Sequence, residues 1–305
     1  MQDGSRKAII AAFVANLGIA VAKFVGFLIT GSAGLLAEAG HSIADTGNQG
    51  LLMFGGGRSK RPADRAHPFG YGPERYFWSF IVALVLFSMG GLFALYEGSQ
   101  KLLHPHGIDS AGVAYTILSL SMLLEGFSLR TAMREANHVR GDRTWWQFIR
   151  TSKAPELPVV LLEDVGAGLG LLFALSGLTL AEVTGNARWD AVGSMAIGLL
   201  LVCIAIVLAV EMKGLLIGEA ASDHDLDAIE RSINGAPRVN GLIHMRTMHL
   251  GPEQLLVAAK IDYDNGLTIA ELAEAIDRTE VDLRAAVPIA TLVYIEPDIR
   301  RELAE

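Results

Sequence analysis

A chain of 305 residues with 51% hydrophobic residues, a mean hydropathy of +0.38 and a formal charge of −8 is more apolar than an average soluble domain and too acidic to suggest a nucleic-acid binder. Its one cysteine, Cys203, lies inside an apolar run, which excludes an intrachain disulfide and any zinc site built on two or four cysteines. The apolar residues are gathered into long segments rather than spread evenly, so the expected surroundings are a lipid bilayer.

In chain order, Arg6 and Lys7 lead directly into the first apolar stretch, with no small-residue cleavage site and no transit-peptide pattern. This reading favours a bacterial inner (plasma) membrane. Six candidate transmembrane spans follow, at approximately 8–30, 33–54, 76–98, 110–133, 156–179 and 189–212, each near the roughly twenty residues needed to cross the hydrocarbon. The second is the least apolar because Glu38, His41 and Asp45 interrupt it, as in a helix with a polar inner face. Lys23, in the first span, needs Glu211 or an inner carboxylate as partner, or a shallow depth from which to snorkel. Glycine recurs through the spans, which suits close helix packing in lipid.

Arg58, Lys60, Arg61, Arg65 and Arg75 follow the second span, and Arg134, Arg140, Arg143, Arg150 and Lys153 follow the fourth. The intervening connections carry little base, so both termini are expected on the cytoplasmic side. Trp145 and Trp146 read as an inner-leaflet anchor, and His104 and His106, flanking Pro105, as a surface turn. Gly55, Gly56 and Gly57 mark a helix end; no P-loop Lys and Ser/Thr follow them.

From about residue 219 the composition changes. A short amphipathic helix at 223–235, strands at 239–250 and 254–263 meeting at Gly251-Pro252, a helix from Thr268 to Ala286 opened by a Thr268/Glu271 capping pattern, and a strand at 290–296 give the order α-β-β-α-β. The expected organisation is a six-helix α-helical membrane domain at 1–215 and a C-terminal α+β cytoplasmic domain at 216–305.

His41 and Asp45 stand four residues apart, on one face of one helix. Ionisable groups inside a membrane helix face the bundle interior and mark function, and an imidazole beside a carboxylate suits a divalent transition metal. Glu163 and Asp164, in the middle of the fifth span, offer a second contribution. Adjacent helical residues diverge by about 100°, so both cannot face one point. Asp164 is taken as the primary ligand, and Glu163 as its outer partner or an alternate ligand. The competing reading is structural, with buried hydrogen bonds that only join helices.

These residues, with the run His67-Pro68-Phe69-Gly70-Tyr71-Gly72-Pro73-Glu74-Arg75-Tyr76, resemble the cation diffusion facilitator family of proton-coupled divalent metal exporters. Leu161-Leu162-Glu163-Asp164 and the Trp pair look like the branch containing the animal mitochondrial zinc transporter. The resemblance covers essentially the whole chain. It implies a homodimer, a metallochaperone-like (ferredoxin-like) tail, and zinc efflux against protons by alternating access. It also exposes departures. Where many members carry a second His in the fifth span, this chain has Val160, which leaves the fourth ligand to Glu163, Asn48 or water and keeps Mn, Fe and Co open beside Zn. Asp64 and His67 match two positions of a weak second metal site in the first cytoplasmic loop, but the third is Tyr71. At the seam where some relatives bridge metal, the tail has Ile243, Ala259, Tyr294 and Glu296; His224, His244 and His249 read as solvated or hydrogen-bonded.

The titration follows from the residues themselves. Metal needs a neutral imidazole and ionised carboxylates, and an ordinary His titrates near 6.5, so a metal and a proton can exchange near neutral pH. A metal-dependent intramembrane enzyme would use the same ligands, but no added nucleophile or zincin His-Glu-x-x-His accompanies them. A metal-sensing membrane scaffold that transports nothing is the remaining alternative.

Overall fold

The computed structural model describes residues 3–105, 107 and 110–300, with side chains from Asn16 onward; His106 lies outside the described residues. Two units emerge. One comprises the chain up to Arg58 together with Arg75–Lys213, and the other Ser59–Glu74 together with the chain from Gly214. The loop after the second span therefore belongs with the C-terminal unit, whereas the sequence reading kept it with the membrane domain.

The first unit is helical. Its elements are α1 (Asp3–Thr30), α2 (Ala33–Arg58), α3 (Glu74–Val85), a π-helical segment (Leu86–Leu92), α4 (Phe93–Leu103), α5 (Ala111–Arg140), the short α6 (Trp145–Thr151), α7 (Glu156–Thr184) and α8 (Arg188–Ile217). Among the described residues, four helical stretches are long and apolar enough to cross a membrane: Glu74–Leu103, Ala111–Arg140, Glu156–Thr184 and Arg188–Ile217. Six were expected. The helices of the two remaining spans, α1 and α2, differ from these four. Among the described residues, α1 contributes a shorter apolar helix, Asn16–Thr30. In α2 the polar residues Glu38, His41, Ser42, Thr46 and Asn48 are buried within the unit, which lowers the hydropathy of a helix whose polar face is turned inward.

Leu35, Val82, Leu86, Leu118, Leu171 and Leu201 form the centre of this unit, while Leu123, Phe127 and Val183 point outward. In lipid, apolar burial gives little drive for helices to associate, so close packing of small residues takes over. The α7–α8 crossing follows this rule: a Cβ at Gly177 would lie 2.8 Å from the Trp189 carbonyl, and one at Gly193 would lie 2.8 Å from that of Phe173. The α1–α2 corner is fixed by charge. Asp190 of α8 accepts from the Ala33 amide at 2.7 Å and from the Ser32 hydroxyl at 2.8 Å, while Lys101 donates to Asp190 at 2.8 Å and to the Gly31 carbonyl at 2.5 Å. A carboxylate thus sits at the start of α2 and an ammonium at the end of α1, each complementing the local helix dipole and satisfying backbone groups that the helices leave open.

The second unit contains α9 (Asp223–Asn234), β1 (Val239–Gly251), β2 (Gln254–Tyr263), α10 (Ile269–Ala286) and β3 (Leu292–Asp298). This is the expected order, and the boundaries fall within two residues of those read from the sequence. The sheet runs β1-β2-β3, with β1 and β2 antiparallel and β2 and β3 parallel, the parallel pair being joined through α10. Leu255, Val257, Ala259 and Ile261 alternate inward along β2 and meet Ile229 and Ile233 of α9 and Leu283 of α10. The Thr268/Glu271 capping box is present in full. Thr268→Ala should weaken this helix start by about 1 kcal/mol. The measurement is amide hydrogen exchange of the full chain, which should quicken in the first turn of α10 and nowhere else. The backbone and side-chain hydrogen bonds from Thr268 also hold the Glu271 carboxyl below its ordinary range. A lowered folded value contributes stability above the ordinary carboxylate range and loses it as pH falls through the lowered value, so the protection of the same amides, relative to an unstructured chain at the same pH, should fall on acidification.

Candidate metal pocket

α2 presents His41 and Asp45 one turn apart, with His41 Nε2 3.5 Å from Asp45 Oδ2. His41 is fully buried, and neither ring nitrogen has a hydrogen-bond partner; Asp45 Oδ1 also lacks one. Asn48, one turn further along α2, donates from Nδ2 to Glu163 Oε1 of α7 at 2.6 Å. Asp164 turns the other way and accepts from the Ser128 hydroxyl of α5 at 3.1 Å. Asp45, Glu163 and Asp164 all line one cavity of about 20 Å³, room for about one water-sized occupant. Two adjacent carboxylates can share this cavity because it lies between α2 and α5, so the angular divergence expected to separate Glu163 from Asp164 aims each at a different wall. Glu163 is consequently as much a lining residue as Asp164.

Among the described residues, no group of three or more His, Cys, Asp or Glu side chains is gathered tightly enough to hold a metal ion. The local hydrogen bonds account for this. Glu163 is engaged by Asn48 and Asp164 by Ser128, each on its own side of the cavity. Asn48, read as a possible fourth ligand, here steadies Glu163.

One lining group escapes the sequence reading. Glu125 of α5, in the run Leu123-Leu124-Glu125-Gly126, lines the same cavity. An intramembrane carboxylate was signal enough to find it, by the same rule that picked out Asp45. The partner of Lys23 is an inner carboxylate, one of the two expected. Lys23 is fully buried and donates to Glu38 Oε2 at 3.0 Å and to the Ser42 hydroxyl at 2.8 Å, with Glu125 Oε1 4.0 Å away. Glu211, the other partner considered, instead meets Arg150 at 3.3 Å.

Asp64 and His67 lie in the loop that belongs to the second unit. Asp64 Oδ1 accepts the backbone N–H groups of Ala66 at 2.9 Å and His67 at 2.7 Å, and Oδ2 accepts the Tyr71 hydroxyl at 2.7 Å. The Tyr71 hydrogen bond, followed by the His67 amide, holds the Asp64 carboxyl below its ordinary range. Tyr71 also carries Arg61 over its ring at 4.6 Å and lies beside the His67 ring at 4.3 Å. Asp64 thus braces a turn, with Tyr71 as a donor where a third ligand would stand. Gly72, in the same loop, lies so close to the Leu250 carbonyl that a Cβ would overlap it. Asp64→Ala should speed amide exchange at Ala66 and His67 and leave the number of zinc ions bound per chain unchanged. In the tail, His224 and His244 are exposed and His249 is buried.

Residues 9–217 match the family described as the cation efflux transmembrane domain. The proton-coupled zinc antiporter SLC30A9, mitochondrial, of Mus musculus is 32% identical over 258 residues, covering 84% of this chain and 45% of that protein. Metal tolerance protein C4 of Arabidopsis thaliana is 30% identical over 278 residues, covering 90% of this chain and 61% of that protein. Metal cation efflux system protein CzcD of Cupriavidus metallidurans is 25% identical over 241 residues, covering 78% and 70%. The chain spans about half the length of the first of these relatives. A solved MamM-CTD structure shares 17% identity and covers 25% of this chain and 95% of its own, with a TM-score of 0.24.

Proposed function

Because the chain belongs to the cation efflux family, we propose that it carries a divalent transition-metal ion, zinc first among the candidates, across a membrane in exchange for protons. The observation that supports this most directly is the cavity on which Asp45 of α2 and Glu163 and Asp164 of α7 converge, with His41 behind Asp45. Three carboxylates and one imidazole suit zinc and also admit Mn, Fe or Co. Loading requires Asn48 to release Glu163 and Ser128 to release Asp164, so that the side chains close on the ion. Protons that neutralise the same groups return the ion to water on the far side.

In this reading α1 and α2 complete a six-span bundle, both termini face the cytoplasm of a bacterial cell, and two copies work as a homodimer. The excess of Arg and Lys after the second and fourth spans supports the orientation. The bacterial relative CzcD supports the setting. Alternating access would carry the cavity from one face to the other as α2 and α7 shift against the other helices.

The test is zinc uptake into sealed proteoliposomes containing a metal-sensitive dye, with and without a pH gradient, and with Mn, Fe and Co tested alongside. Uptake that depends on the gradient is the expected result. Metal binding without uptake of any of these ions would replace the transporter reading with a sensor or scaffold.

A further inference from the structure

Resting on that reading of the cavity, we propose that Glu125 of α5 is a further carboxylate donor to the ion, with Lys23 of α1 as the fixed cation that keeps it at the cavity wall. The donor set argues for it first. On α7, Val160 lies one turn before Asp164 and lines the cavity without supplying a donor atom. Glu125, from α5, lines the same cavity and supplies a carboxylate. The cavity then has acidic walls from three helices: Asp45 on α2, Glu163 and Asp164 on α7, and Glu125 on α5.

The second argument comes from His41, the residue behind Asp45. His41 is fully buried with neither ring nitrogen hydrogen-bonded, and its Nε2 lies 3.5 Å from Oδ2 of Asp45 on the cavity wall. A buried imidazole without a hydrogen bond is costly unless it has another partner, and a bound cation provides one.

Lys23 explains how Glu125 is held. Its ammonium is hydrogen-bonded to Glu38 and Ser42, and Glu125 stands at the longer distance of 4.0 Å. Glu125 therefore has a counter-charge nearby, but it is not the primary partner of that charge. It can turn toward an ion without leaving Lys23 alone, because Glu38 remains. This geometry favours a doubly charged occupant, whose pull on a carboxylate exceeds that of one shared ammonium.

The experiment uses the full chain in detergent, with zinc affinity measured by competition against a fluorescent chelator and the ligand field read from the absorption of bound Co(II). Glu125→Gln should weaken zinc affinity by about 10- to 100-fold and change the Co(II) spectrum. Glu125→Asp, which keeps the charge beside Lys23, should recover part of the affinity. Asp45→Asn serves as the comparator. If Asp45→Asn loses binding while Glu125→Gln leaves both affinity and spectrum unchanged, the proposal for Glu125 is overturned and the cavity reading stands. If neither substitution alters binding, the cavity reading fails and takes this proposal with it. Should Glu125→Gln not yield a monodisperse protein, Glu125→Asp decides the matter: a shifted Co(II) spectrum supports the assignment, and an unchanged one overturns it.

Discussion

Replacing Asp45 with alanine should abolish gradient-dependent zinc uptake while leaving the protein folded. Asp45 contributes a carboxylate to the cavity wall, one oxygen of it unpartnered, and is the neighbour of the otherwise unpartnered His41 nitrogen. Alanine removes a negative charge and a donor atom together. Loss of a mere outer partner of a metal ligand already costs about 10–100-fold in affinity, so loss of a ligand should reduce uptake by at least that much. Folding should survive, because Asp45 is not part of the Lys23–Glu38 pair or the Lys101–Asp190 corner. His41→Ala should have the same direction of effect for a different reason. It removes the imidazole donor beside the cavity, so any remaining transport should shift away from zinc toward ions that accept oxygen ligands, manganese above all. The check is uptake of both metals into proteoliposomes by wild type and each variant. Undiminished zinc uptake by Asp45→Ala would remove the site from α2.

Lys23→Met should be the most destabilising of the substitutions considered. Lys23 and Glu38 are both fully buried and 3.0 Å apart, and Glu38 Oε1 already lacks a hydrogen-bond partner. Removing the ammonium leaves a buried carboxylate whose remaining neighbours do not compensate it, a change that costs about 3–5 kcal/mol in comparable buried pairs. Removing both charges is a different experiment. Lys23→Met combined with Glu38→Leu fills the space with apolar side chains and leaves no orphaned charge, so most of the lost stability should return. The two single substitutions should therefore be strongly non-additive. Thermal unfolding in detergent of the two single variants and the double variant measures this. Additive losses would show that the pair contributes as two independent side chains. The separation from function also matters: the double variant keeps His41, Asp45, Glu163 and Asp164, so its metal binding reports what Lys23 does to the cavity apart from what it does to the fold.

The elements themselves were legible because they follow from local rules. Long apolar runs placed α3, α4, α5, α7 and α8, the β-branched runs and the Gly251-Pro252 turn placed the sheet, and the Thr268/Glu271 pattern placed the start of α10, whereas the short α6 stands where the sequence suggested a loop. The candidate ligands were also legible, since a charged residue inside an apolar run is conspicuous whatever surrounds it. Local rules do not say which wall of a cavity a side chain faces. Glu163 and Asp164 were ranked by helical angle alone, but a cavity open to two helices receives both. Asn48 and Tyr71 were weighed as metal donors or their substitutes, and each is engaged instead in holding a carboxylate, at Glu163 and at Asp64.

By itself, then, the sequence determined a membrane-spanning helical part, an α-β-β-α-β tail, and a short set of buried ionisable residues, because hydropathy, periodicity and capping act over a few residues at a time. Only the tertiary structure decided the partners. Lys23 meets Glu38 across 15 positions, Ser128 reaches Asp164 across 36, and Asp190 caps α2 from 157 positions away. Such pairings are set by how helices cross, and crossing depends on small residues such as Gly177 and Gly193 that let backbones approach. For the same reason Glu125, conspicuous in the sequence as a carboxylate in an apolar run, takes its place beside Asp45 and Asp164 only through the packing of α5 beside α7.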